Sequence, residues 1–176
     1  MVHLQGKSIG LIIGFLVIAV LSSGCVYNNP KNTSYNISTK NYSGNTVYFD
    51  YPANWKLVNY TDGYSKVVIV NKNNSNNSPQ FQLIITPNGE MTDQDIINSI
   101  QSCPNPSNQK KISNNTLTID GNKAYENIFI INKTTKMREI FFIKNSNLYD
   151  LTFQTTNNDF DKEKQNFDII LNSFKV

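Results

Sequence analysis

Lys111–Thr155 reads KISNNTLTIDGNKAYENIFIINKTTKMREIFFIKNSNLYDLTFQT, and this stretch decides the fold. It divides into the candidate strands Lys111–Ile119, Lys123–Ile131, Lys136–Lys144 and Leu148–Thr155, split by Asp120-Gly121, Asn132–Thr135 and Asn145–Asn147. Breaks this short and this rich in Asn and Gly carry hairpin chemistry, because both residues tolerate the positive φ of tight turns. Turns of that length join antiparallel neighbours. Within Met137–Ile143, Met137, Phe141 and Ile143 fall on one face while Ile140 and Phe142 fall on the other. A strand apolar on both faces predicts a sheet covered on both sides.

Working outward, Lys66–Asn71 (KVVIVN) and Gln80–Thr86 (QFQLIIT) are β-branched runs on either side of the Asn-rich tract Asn71–Ser78, and they read as a hairpin with a long loop. Thr46–Tyr51 (TVYFDY) reads as a further strand, ended by Pro52 ahead of Trp55. Between the hairpin and the meander the period changes. Met91, Ile96, Ile97 and Ile100 share one helical face, with Thr92 as N-cap, Asp95 three residues on and Cys103-Pro104 as the stop. A last helix follows Asn158 or Asp159, with Phe160, Phe167, Ile170, Leu171 and Phe174 as its buried stripe. The expected class is α+β: a meandering antiparallel sheet of about six to seven strands flanked by helices, an α/β/α sandwich.

The N-terminus reads as an export signal. Lys7 is followed by the apolar run Ile9–Leu21, and Leu21-Ser22-Ser23-Gly24-Cys25 closes it. The run, about 13 residues, falls short of the ~20 that a bilayer span wants. Small residues before a cysteine suit a lipoprotein signal peptidase, which makes Cys25 the candidate lipidation site. Ser22 stands where such sites usually carry Leu, and Leu21 is one position earlier. An uncleaved anchor helix is the other reading; in a signal this short, Gly6, Gly10 and Gly14 are small-residue filler rather than a dimer face. Both readings put the domain on the extracytoplasmic side of the cell membrane. The boundaries are residues 1–24 as signal, 25–44 as a polar tether almost free of aliphatic side chains, and 45–176 as the folded domain. Asn32, Asn36 and Asn41 in the tether each head an Asn-x-Ser/Thr sequon and are candidate glycosylation sites, as are Asn59, Asn73, Asn76, Asn114 and Asn132 further on. The Asn-, Ile- and Lys-rich composition suits an A+T-rich microbe, an archaeon among them.

Charge and motif content exclude several functions. The 176 residues carry 16 Lys+Arg and 13 Asp+Glu, a formal charge of +3, with no basic block of the kind nucleic acid requires. The single histidine, His3, lies in the signal, so a processed chain has no imidazole for a Ser-His-Asp or Cys-His centre. No phosphate-binding, dinucleotide-binding or zinc-protease motif occurs. With Cys25 lipidated, Cys103 is left to a structural role. Asp159, Asp161 and Glu163 could offer oxygens to a cation, but acids in a first helical turn already complement the helix dipole, and Asp93 and Asp95 are read the same way. No metal ligand, catalytic residue or cofactor is assigned. Lys110, Lys111, Lys133, Lys136 and Arg138 read as solvated edge and face charges, and Tyr42, Tyr48, Tyr60 and Tyr64 as border residues of the core.

Three stretches carry a family likeness: Phe49–Trp55 (F-x-Y-P-x-x-W), Asp120–Tyr125 (D-G-x-x-A-Y) and Leu148–Phe153 (L-Y-x-L-T-F), ahead of a helix ending in Ser173-Phe174. Together they resemble the PsbP-like domain, whose superfamily also holds the yeast Ran-binding Mog protein, over Asn45–Val176. The resemblance implies a non-enzymatic module. Its plant and cyanobacterial members assist photosystem II at the lumenal face, and many prokaryotic relatives are exported lipoproteins. The expected function is therefore a lipid-anchored accessory module for an envelope protein complex, with no nucleic-acid partner. The alternative is a lipoprotein that binds a small ligand or metal ion in a pocket between sheet and helix.

Overall fold

The turn chemistry of the meander is realised residue by residue. In the computed structural model, residues 37–44, 46–61, 64–73, 78–89, 92, 94–95, 97–98 and 108–176 are described, all within the unit Asn36–Val176. The strands are β1 (Thr39–Ser43), β2 (Tyr48–Pro52), β3 (Lys56–Thr61), β4 (Lys66–Asn71), β5 (Gln80–Pro87), β6 (Gln109–Ile119), β7 (Asn122–Ile131), β8 (Thr135–Lys144) and β9 (Asn147–Thr156); helix α1 spans Phe160–Ser173. Ile119 pairs with Asn122 across Asp120 and Gly121, whose φ values of 46° and 77° make a two-residue turn matched to strand twist. Asn145 and Ser146, at 51° and 57°, do the same between β8 and β9.

These hairpins build one antiparallel seven-stranded sheet in the order β3-β4-β5-β9-β8-β7-β6, while β1 and β2 form a separate two-stranded ladder. Residues 88–108 carry the chain from β5 to β6 at the far edge, and the meander then returns until β9 pairs with β5. Of the helix expected there, Gln94, Asp95, Ile97 and Asn98 are helical. Its cap forms as the sequence predicts: the Asp95 carboxylate accepts from the Thr92 amide at 3.2 Å, and Thr92 Oγ1 accepts from the Asp95 amide at 3.2 Å. Met91, Ile96, Ile100 and Cys103 lie outside the described residues, as do the signal, Cys25, Asn32 and Asn36.

Alternation divides the sheet into a helix face and a reverse face. On the helix face Val68, Val70, Phe81, Leu83, Leu151, Phe153, Ile140 and Phe142 meet Phe49, Trp55, Phe160, Phe167, Ile170 and Phe174 in one core. Aromatic rings form a continuous chain through it. Phe81–Phe153 and Phe153–Phe167 centroids both lie 4.9 Å apart, Phe49–Phe81 5.2 Å, Phe49–Phe174 5.9 Å and Trp55–Phe167 6.2 Å. Such offset and edge contacts each contribute about 0.5–1.5 kcal/mol beyond area burial.

The end of the chain is tied into this core. Tyr48 and Lys175 exchange backbone hydrogen bonds at 3.0 and 2.8 Å, and the Asp50 amide donates to Ser173 Oγ at 2.8 Å. The Asp120 carboxylate accepts from the Val176 amide at 3.1 Å and from Lys175 at 3.1 Å, and it faces Lys144 at 3.4 Å. The Val176 amide, with Lys175 and Lys144 beside it, holds the Asp120 carboxyl below the usual carboxylate range.

Two strands lie where composition gave no strand. β1 falls in the stretch read as tether, and it forms because Tyr42 stacks on Phe49 at 5.1 Å while all five of its residues pair with β2. β3 pairs with β4 throughout and forms one open edge of the large sheet.

Candidate functional site

Register decides what the reverse face presents. Asn127 pairs with Glu139, Glu139 with Thr152, and Phe141 with both Tyr125 and Asp150. Glu139 and Asp150 are therefore diagonal neighbours on adjacent strands of the same face, bordered by the buried rings of Phe129 and Phe141. Burial pushes the Glu139 carboxyl up to about 7, with the Asp150 charge adding to the effect and Lys111 opposing it. Burial likewise pushes Asp150 up to about 6, against the hydrogen bond it accepts from Thr152 at 3.1 Å. Paired carboxyls that titrate near neutrality mark ground where charge is costly and ligands can act.

Beside them a groove of about 420 Å³ opens along β6 and β7. Its described lining is Lys111, Asn114, Asn115, Thr116, Tyr125, Glu126 and Asn127. A β-bulge makes it. Lys111 pairs with Phe129 but Ser113 pairs with Ile128, so Ile112 is the extra residue, and Lys111 and Asn114 come to the same face although they are an odd number of positions apart. Lys111 also lies 5.6 Å from the Phe129 ring, and Lys123 lies 5.1 Å from the Tyr125 ring.

On the opposite, helix-side face of the same strands the charges are compensated from within. Glu126 accepts from Arg138 Nε at 2.5 Å and from the Asn115 amide at 2.9 Å, and Arg138 lies 3.7 Å from Asp168. Arg138 is thus no solvated face charge but the counter-ion of a buried glutamate. Lys136 is corrected in the same way: its ammonium sits 4.4 Å from the Phe160 ring and 3.6 Å from Asp161. Of the acids at the start of α1, Glu163 is held by Lys72 at 2.8 Å and by Asn166 at 2.6 Å, and Asp159 by Thr156 at 2.7 Å and Lys162 at 2.8 Å. Among the described residues no group of three or more His, Cys, Asp or Glu could hold a metal ion.

The space between sheet and α1, where the alternative reading expects a pocket, is occupied by the aromatic core. Asn41 is exposed on β1. The tyrosines separate: Tyr42 packs on the core, whereas Tyr48 is 39% and Tyr64 89% exposed, so core-border status does not extend to these two. Near Tyr64 in the sequence, on the open edge strand β3, Leu57 and Val58 are 36% and 52% exposed. Asn127, Glu139 and Asp150 escaped notice in the sequence. Glu139, an acid inside the apolar run Met137–Ile143, was the one available signal.

A family model described as PsbP-like protein matches residues 9–176, and the chain belongs to that family. No curated protein sequence matches it. Among solved structures it is similar to the solution structure of cyanobacterial PsbP (CyanoP) from Synechocystis sp. PCC 6803, at 17% identity over 80% of this chain and 93% of that one, with a TM-score of 0.56. It is also similar to LpqN of Mycobacterium tuberculosis, a protein involved in cell envelope biogenesis, at 9% identity over 80% and 91% of the two chains, with a TM-score of 0.52. At these identities the likeness shows the fold. Among the described residues no helix is long and apolar enough to cross a membrane.

Proposed function

We propose that this protein is a non-enzymatic accessory module, held at the extracytoplasmic face of the membrane by lipid on Cys25, that docks onto an envelope protein complex through the β3 edge. The observation that carries this reading is the open strand itself. β3 pairs on one side only, and it presents Leu57 and Val58 to solvent with Tyr64 beyond its end. Unpaired edges with exposed apolar side chains are normally blunted, because they accept another strand. A maintained open edge suits strand addition by a partner, in which backbone hydrogen bonds supply affinity and side chains supply specificity. PsbP-like membership and the envelope role of LpqN support the same reading. The test is crosslinking on intact cells followed by mass spectrometry of what co-purifies, with the wild type beside Val58→Asp and Tyr64→Ala. A reproducible envelope protein that is lost in either variant supports docking at this edge. Recovery of the same partner at undiminished yield from both variants would sink it.

A further inference from the structure

We infer that the β6–β7 groove on the reverse face is a binding site for a neutral saccharide. This stands apart from docking at β3, which is the opposite edge of the sheet. The groove presents one charge, Lys111, which acts on the neighbouring Glu139; Glu126 pairs with Ile140, so its carboxylate lies on the helix face, where Arg138 holds it at 2.5 Å. Neither an anion nor a cation is therefore called for. What remains to meet a ligand is amide, hydroxyl and phenol: Asn114, Thr116, Asn127 and Tyr125. Groups that both donate and accept are the complement of vicinal hydroxyls, which do the same.

Asn127 is the second, independent observation. It is only 4% exposed, it lines the groove, and its side chain takes no hydrogen bond among the described residues. Its amide is not among the sealed polar groups, so it opens to the groove, and a ligand hydroxyl that replaces water there is worth about 0.5–1.5 kcal/mol. The volume, about 420 Å³, lies within the range of small-ligand sites. The lining is far more polar than sites for apolar ligands usually are, which again favours a polyol.

The test is NMR titration of the isotope-labelled full chain in detergent with four neutral disaccharides (N,N′-diacetylchitobiose, cellobiose, maltose and mannobiose), with glucose 6-phosphate and spermidine as charged controls. The expected result is saturable shifts of the Asn114, Thr116 and Asn127 amides with at least one disaccharide, and none with the controls. Asn127→Leu should weaken that binding about tenfold, the worth of a lost hydrogen-bond pair. Because Asn127 is buried and its replacement could unfold the chain, Asn114→Ala, at an exposed position, provides the parallel measurement and should weaken binding severalfold with an unchanged melting temperature. Absence of saturable shifts with all four disaccharides would overturn the inference. So would preferential binding of either charged control, or binding that is undiminished in Asn114→Ala.

Discussion

The two faces of the seven-stranded sheet are built from the same strands by the same alternation, yet they bury different things. The helix face buries carbon: Phe81, Phe153, Phe142 and Leu151 close against Phe167, Ile170 and Phe174. The reverse face places Glu139 and Asp150 among Phe129 and Phe141 and leaves Asn127 without a partner. Position i and position i+1 of β8 thus serve opposite ends, stability on one side and a costly, ligand-ready chemistry on the other. Strain of that kind is carried only where the rest of the structure supplies a surplus.

The contrast can be broken most directly at Phe167, which touches Trp55, Phe153 and Phe160. Phe167→Ala should cost about 3–5 kcal/mol in urea unfolding, since a ring is removed from a site with little room to collapse. A loss under 1 kcal/mol would mean that the aromatic chain is not the seat of stability. Next comes the buried ion pair. Arg138→Met leaves Glu126 facing only Asn115 and should cost about 3 kcal/mol, the lower end for breaking such a pair.

The reverse face should respond with the opposite sign. Glu139 and Asp150 ionise at about 7 and about 6 in the folded chain, against ordinary values of 4.5 and 3.8. Over that interval the folded state keeps protons that the unfolded chain releases, so stability is fullest below the ordinary values and falls as pH rises through the folded ones. Glu139→Gln with Asp150→Asn should flatten this decline and stabilise the protein at pH 8 by about 1–2 kcal/mol, a figure discounted for partial exposure. A slope unchanged by the double substitution would show that these carboxyls carry no such cost. Asp95, Asp120 and Asp159 are held below the ordinary range, so their contribution is lost only in acid below it, and the two windows are separable in one pH series. The smallest effect belongs to the open edge: Val58→Asp should leave stability within about 0.5 kcal/mol while abolishing partner capture.

The meander was legible because its signals are local. Asp120-Gly121 and Asn145-Ser146 announce their turns, and the alternation of Met137–Ile143 assigns its faces correctly. β1 was not legible, since Thr39–Ser43 has no aliphatic residue and owes its order to pairing with β2 and to Tyr42 on Phe49. β3 was missed for a related reason: an edge strand that leaves Leu57 and Val58 both exposed shows no inside-outside alternation. The groove was less legible still. Lys111 and Asn114 share a face only through the bulge at Ile112, and Glu139 meets Asn127 only through cross-strand register, neither of which a single strand's sequence encodes. The ion pairs of Lys136 and Arg138 depend on α1 lying over β8, so those cations looked free.

Trp55 is the single tryptophan of the chain. It is 2% exposed, it meets Phe167 edge-on, and its indole N–H has no partner among the described residues. Its fluorescence should therefore be blue-shifted and shielded from iodide until α1 lifts from the sheet. The molecule carries an optical gauge of helix docking that needs no label and that should stay silent when only the reverse face titrates or fills.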